Sequence, residues 1–178
     1  MVIYSLKKSY QLKDLEEIQF KDLWGDHGIF TTMWIFGKPP KILFFKNHIK
    51  NLIRSLYKYK IKKKFIHRDI IKIINRNISK KIKYNHLLRV ALNKKIISIS
   101  LRKRISPKIN FNLKLVNLKR ERPKYKNLKY KKILSYLSKM DTSKSDIVLV
   151  YKNKILESGT SNILFIKGKK IFSPKKDY

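Results

Sequence analysis

Two stretches near the end of the chain decide its fold: KILSYL, residues 132–137, and ESGTSNILFI, residues 157–166. The first reads as the opening of a helix with a lysine at its start. The second places a carboxylate at a Gly/Ser-rich turn, and the β-rich run 146–151 lies between them. A strand–turn unit of this kind holds an amine and a carboxylate on the same side of a sheet. The amine can condense with an aldehyde, and the carboxylate can keep a proton on a ring nitrogen. Taken alone, Lys132 is one of 45 basic residues, most simply a solvated surface group. Glu157 says more, because the chain has only 11 acidic residues and this one abuts Ser158-Gly159-Thr160-Ser161-Asn162. That run offers backbone N–H groups and hydroxyls to an anion, and serves equally as an ordinary polar turn.

Upstream of Lys132, residues 118–131 read as a linker: RERPKYKNLKYK is charged, contains Pro123 and lacks a sustained apolar face. The expected organisation is therefore a small N-terminal α/β domain over 1–117, a linker over 118–131 and a partial C-terminal domain over 132–178. Within the first domain, LWGDHGIFTTMWIF (23–36) predicts a glycine-bearing turn feeding a strand. Residues 37–40 predict a turn, and 41–45 a returning strand. Ile49, Leu52, Ile53 and Leu56 fall at i, i+3, i+4 and i+7, one apolar helical face, and a second helix is predicted over 66–78. Residues 86–93 and 96–101 alternate as a strand pair, and 111–116 is one more strand. In the second domain 163–166 is expected to pair with 171–172 across Gly168. Residues 1–4 form a short apolar start, and the polar stretch to Asp22 shows no strong period.

The chain has 178 residues with 43% hydrophobic and 12% aromatic content, enough to bury a core. Its net charge of +34 raises nucleic-acid binding as a function. The lysines, however, spread through nearly every block, including segments with core periodicity, and accompany an excess of Ile and Asn. Biased composition is the favoured explanation, with a basic nucleic-acid-binding protein as the alternative from another class. Cysteine is absent, which excludes disulfides and thiolate metal sites, and no metal site is expected. No apolar run approaches the roughly 18 residues of a membrane span. A cytoplasmic protein without a membrane partner is expected.

Four motifs in one order carry a family resemblance. ESGTSNILFIKGKKIFSP resembles the E-G-S-x-S-N-[IL]-F…G…TP signature of the class IV aminotransferases, the pyridoxal phosphate enzymes of fold type IV. KILSYL is similar to that family's K-x-x-N-x-L, LWGDHGIFTTM to its G-D-G-x-F-[ET]-T, and HIKNLIRS to its H-[IL]-x-R-L-x-x-S. The resemblance implies an α/β (α+β), two-domain, fold type IV architecture with a truncated C-terminal domain, pyridoxal 5'-phosphate between the domains, and a homodimer. It makes Lys132 the Schiff-base lysine and proton shuttle, and Glu157 the partner of the pyridine nitrogen. Tyr136 falls near the phenolic oxygen, and Ser161 and Asn162 on the phosphate side. Asn51 stands where the family has its phosphate arginine, and Arg54 lies one helical turn away as the substitute. Asn93-Lys94-Lys95 replaces a glycine-rich loop, His27 replaces a glycine of G-D-G, and the chain ends at SPKKDY before the family's later segment.

Phe30-Thr31-Thr32 puts threonine where aminotransferases of the family more often have glutamate, and looks more like aminodeoxychorismate lyase. Thr31 and Thr32 are thereby the expected substrate residues. The implied reaction is the folate-branch conversion of 4-amino-4-deoxychorismate to 4-aminobenzoate and pyruvate. A branched-chain or D-amino acid aminotransferase of the same fold is the alternative within the family.

Overall fold

The computed structural model describes residues 4–174, and residues 1–3 of the apolar start and 175–178 of the terminal SPKKDY lie outside it. The chain divides into two compact units. The first comprises Met1–Arg104 with Tyr125–Leu128, and the second Ile105–Lys124 with Lys129–Tyr178.

The first unit is built on a six-stranded sheet of order β2-β1-β6-β5-β3-β4. Its strands are β1 (Tyr4–Gln11), β2 (Glu17–Ile18), β3 (Ile29–Gly37), β4 (Lys41–Ile42), β5 (Tyr84–Leu92) and β6 (Ile96–Lys103), all paired antiparallel. The expected pair 86–93 with 96–101 is present as β5–β6, whereas the returning strand expected over 41–45 is cut to Lys41–Ile42, because the chain turns at Leu43 and Phe44, and Phe45 opens a helix. The helices predicted from isoleucine and leucine spacing are α1 (Phe45–Lys58) and α2 (Ile66–Asn77). Burial follows period: Ile49, Leu52 and Leu56 of α1 and Ile66, Ile70, Ile73 and Ile74 of α2 are buried. They pack on Ile29, Met33 and Ile35 of β3, Leu88, Val90 and Leu92 of β5, and Ile97, Ile99 and Leu101 of β6. Strand residues alternate between faces, so the intervening residues Thr32, Arg89 and Ser100, paired in register, stand together on the helix-free face.

Strand β1 has no counterpart among the sequence expectations. Lys8 interrupts the alternation of Leu6 and Tyr10, and a fully buried serine, Ser9, sits in the strand. Ser9 is accommodated by hydrogen bonds: its hydroxyl lies 2.8 Å from that of Ser98 and accepts from the Lys21 N–H at 2.9 Å.

The second unit is a three-stranded sheet of order β7-β8-β9 with one helix, plus a small hairpin. Strand β7 (Asn112–Asn117) runs parallel to β8 (Ser145–Tyr151), and β9 (Lys154–Ser158) is antiparallel to β8. Helix α3 (Lys131–Leu137) crosses from β7 to β8, and Ile133 packs with Val116, Ile147, Leu149 and Leu156. β10 (Phe165–Lys167) pairs with β11 (Lys170–Phe172) around Gly168, as expected. Two differences from the expected domains follow from pairing. β7, assigned by sequence to the first domain, joins the second because its partner is β8. The linker 118–131 is not solvated chain: Arg120, Asn127 and Leu128 within it are buried.

Candidate functional site

The second unit gathers five of the sequence-predicted residues. Lys132 stands in the first turn of α3 and is exposed. Tyr136 lies four residues on, 39% exposed, so ammonium and phenol share one helix face. Glu157 is on β9 directly opposite Leu149, a core residue under α3, which turns its side chain to the face of the sheet that α3 covers. Ser161 and Asn162 are exposed in the turn that follows β9.

That turn is rigidly built. The buried Asp146 carboxylate accepts from the Thr160 hydroxyl at 2.7 Å and from the Thr160 N–H at 3.2 Å. The Ser158 hydroxyl donates to the Ser161 carbonyl at 2.8 Å and accepts from the Ser161 N–H at 2.7 Å. At Gly159 a Cβ would meet Asp146 Oδ1 and Ile147 Cγ1, each at 2.8 Å, so only glycine lets β8 and the turn come this close. Inside this framework the Ser161 and Asn162 side chains face solvent.

Glu157 is ion-paired. Arg120 donates from Nε to Oε1 at 2.8 Å and from Nη2 to Oε2 at 3.1 Å. Tyr130 lies beside the pair, its hydroxyl donating to the Gly159 carbonyl at 2.9 Å. Burial pushes the Tyr130 phenol up to about 12. The nearby Arg120 works against the shift, and Glu157 and Asp146 add to it.

In the first unit the two threonines of Phe30-Thr31-Thr32 part company. Thr31, 4% exposed, faces the helices, and its hydroxyl lies 2.9 Å from Nδ1 of His48 on α1. Burial, with Lys126 second, holds the His48 imidazole below its ordinary value. Thr32 projects to the helix-free face beside Arg89. Arg54 is exposed on α1, on the side away from the buried Ile49, Leu52 and Leu56.

Arg89 escaped the sequence reading, because an arginine in an alternating strand looks like its solvent face. It is buried, and its guanidinium lies 4.4 Å from the Trp24 ring and is ion-paired with Asp22. Among the described residues its Nε and Nη1 have no hydrogen-bond partner, and neither does the buried hydroxyl of Ser100, its neighbour in register. Buried unsatisfied donors in adjacent strands form a place for an anionic oxygen. The available donor set is thus an amine, a phenol, a carboxylate and turn hydroxyls in one unit, and a guanidinium with a hydroxyl in the other. Among the described residues no cluster of His, Asp or Glu could hold a metal ion, and no helix is long and apolar enough to cross a membrane.

This fold and these residues define a class. The chain belongs to the amino-transferase class IV family, whose sequence pattern matches residues 28–177. Among solved structures it is similar to a branched-chain aminotransferase from Thermoproteus uzoniensis, with a TM-score of 0.71 at 12% identity, covering 94% of this chain and 67% of the other. A protein provisionally named 4-amino-4-deoxychorismate lyase from Haemophilus somnus 129pt gives 0.61 at 17% identity, covering 83% and 75%. A hypothetical aminotransferase from Mycobacterium tuberculosis, solved with α-ketoglutarate and PMP, gives 0.68 at 12% identity, covering 94% and 71%. No curated protein sequence matches the chain.

Proposed function

We propose that this protein is a pyridoxal phosphate enzyme that converts 4-amino-4-deoxychorismate to 4-aminobenzoate and pyruvate. The observation that supports the cofactor assignment is the pairing of Lys132 and Tyr136 on one face of α3 with Glu157 turned to the same side of the sheet, and the lyase reading rests on the Thr31-Thr32 pair. The donor set fits the cofactor: an amine for its aldehyde, a carboxylate for its ring nitrogen, a phenol for its ring oxygen, and Ser161 with Asn162 for its phosphate. When bound, pyridoxal phosphate would supply an aldehyde for an amine and a ring able to store an electron pair. Lys132 Nζ takes the proton from the amine-bearing carbon. The C–O bond to the enolpyruvyl group then breaks, the released enolpyruvate takes up a proton and leaves as pyruvate, and the carbocycle becomes aromatic. Within the first unit, Thr32 and the open donors of Arg89 and Ser100 suit a carboxylate. Thr31 is buried on the other side of β3 against His48, which leaves Thr32 as the open threonine of the pair.

The test begins with purified protein titrated with pyridoxal phosphate beside a Lys132→Ala variant. The wild type should develop the visible band of an amine-bound cofactor, and the variant should not. Pyruvate should then appear from aminodeoxychorismate without any keto-acid acceptor. Absence of the band in a folded wild type overturns the assignment. An amino acid product that requires a keto acid favours the aminotransferase alternative, which the branched-chain aminotransferases among the structural neighbours support. A homodimer in the cytoplasm is the proposed assembly and location, and the exposed Leu113 and Leu115 of β7 suit a partner surface.

A specific observation supports a second reading. The exposed faces of α1 and α2 carry Lys50, Arg54, Lys58, Arg68 and Lys72 with the exposed aromatics Tyr57 and Phe65 beside them. Nucleic-acid binding there would fall steeply with salt and would not depend on Lys132.

A further inference from the structure

Glu157 does not stand alone: both of its oxygens are engaged by one arginine fork, with Nε at 2.8 Å and Nη2 at 3.1 Å. The fork is itself anchored. Nη2 also donates to the Pro123 carbonyl at 2.7 Å, and the guanidinium lies 5.7 Å from the Tyr130 ring. Tyr130 in turn grips the Gly159 carbonyl, two residues past Glu157. We propose that Arg120 is a positioning residue that fixes the Glu157 carboxylate in one orientation for the ring nitrogen of the cofactor. This rests on the cofactor assignment above.

Three features favour positioning over stability alone. Arg120 is 8% exposed, in a chain whose other cations are mostly solvated. Burying a guanidinium is costly, and a buried ion pair is commonly no more stabilising than apolar side chains of equal volume, so stability gives a weak reason to place one here. The contact is also the planar two-bond type, which sets direction as well as charge. A lysine, a point charge on a flexible stem, cannot reproduce it. Finally, strand pairing with Leu149 sets which face of the sheet the Glu157 side chain takes, and the two-bond fork sets the plane of its carboxylate beside the irregularity at Leu149/Val150.

The experiment compares the wild type with Arg120→Gln and Arg120→Lys. The readouts are pyridoxal phosphate affinity and the pH dependence of the visible band, with thermal melting as a separate readout. Removing charge-assisted hydrogen bonds should weaken cofactor binding by roughly tenfold to a hundredfold in Arg120→Gln and move the pH midpoint of the band. Arg120→Lys should restore part of the affinity but not the midpoint. A purely structural arginine would lower the melting temperature and leave affinity and midpoint at wild-type values, and that result overturns the inference. If Arg120→Gln does not fold, Arg120→Lys decides by the same criteria. A wild type without the band would overturn the cofactor assignment and the inference with it. A wild-type band unaffected in the variants overturns the inference alone.

Discussion

Replacing Gly28 by alanine tests how the first unit is closed. Gly28 precedes β3, and its carbonyl accepts from the Leu128 N–H at 3.0 Å. The same short segment is held at two further points: Phe30 N–H donates to the Lys126 carbonyl at 2.8 Å and Gly25 N–H to the Leu128 carbonyl at 2.7 Å. A methyl at Gly28 would strike the carbonyl oxygen of Leu92 and come within 2.7 Å of Leu128 Cδ1. Leu92 cannot yield, because β5 is paired on both sides by β3 and β6. Leu128 is fully buried and must move, taking its hydrogen bonds with it. Overpacking costs about 1–3 kcal/mol, and each strained hydrogen bond adds about 1 kcal/mol. A loss of about 3 kcal/mol corresponds to a melting temperature lower by about 6–12 °C in a chain of this size. Gly168→Ala is the companion: it has φ +58° and nothing within 4 Å, so only backbone strain of about 1 kcal/mol is expected. Thermal melts followed by circular dichroism decide the matter. A Gly28→Ala protein that melts within about one degree of wild type, or above Gly168→Ala, refutes the close approach.

Two further outcomes follow from the titrating groups. Burial holds the His48 imidazole below its ordinary value of 6.5, so the unfolded chain takes up that proton first as pH falls. The stabilisation is complete above that value and is lost as pH drops through the lower, folded one. Melting temperature should decline from about pH 7 downward. His48→Asn should flatten part of the decline, the rest belonging to His86, whose shift has the same sign and arises from burial and then Lys103. A slope unchanged in His48→Asn contradicts this. For Tyr130 the sign is opposite: a phenol raised to about 12 withholds its proton in the fold, and stability is lost as pH rises past its ordinary 10. Tyr130→Phe should remove the latest step of the alkaline tyrosinate titration and cost about 1 kcal/mol for the bond to Gly159. Retention of that late step would show that another tyrosine produces it.

The helices α1 and α2 were legible because their isoleucines and leucines recur at helical spacing and nothing polar interrupts them. The strand pairs were legible for the same reason at period two. Arg120, Tyr130 and Leu128 were not, because burial of these residues depends on partners distant in sequence, Glu157, Gly159 and Gly28, that no local pattern encodes. A run such as RERPKYKNLKYK therefore looks like solvated linker. Arg89 was hidden in a similar way: its burial comes from Trp24 and Asp22 reaching over the helix-free face. Lys132, Tyr136 and Glu157 are singled out by motif resemblance alone, since composition made one lysine among 45 Lys and Arg residues indistinguishable from the rest.

The passage of residues 125–128 into the first unit, between two segments of the second, makes the polypeptide indivisible at any single point. Cutting after Arg104 would yield an N-terminal fragment lacking the carbonyls that Gly25 and Phe30 N–H groups require, and the buried Leu128 side chain with them. The matching C-terminal fragment would carry Leu128 with no core to enter. Neither unit is a self-sufficient module that could be transplanted or expressed as one continuous stretch. Complementation between the two fragments is accordingly the form in which a divided version of this protein would recover its structure.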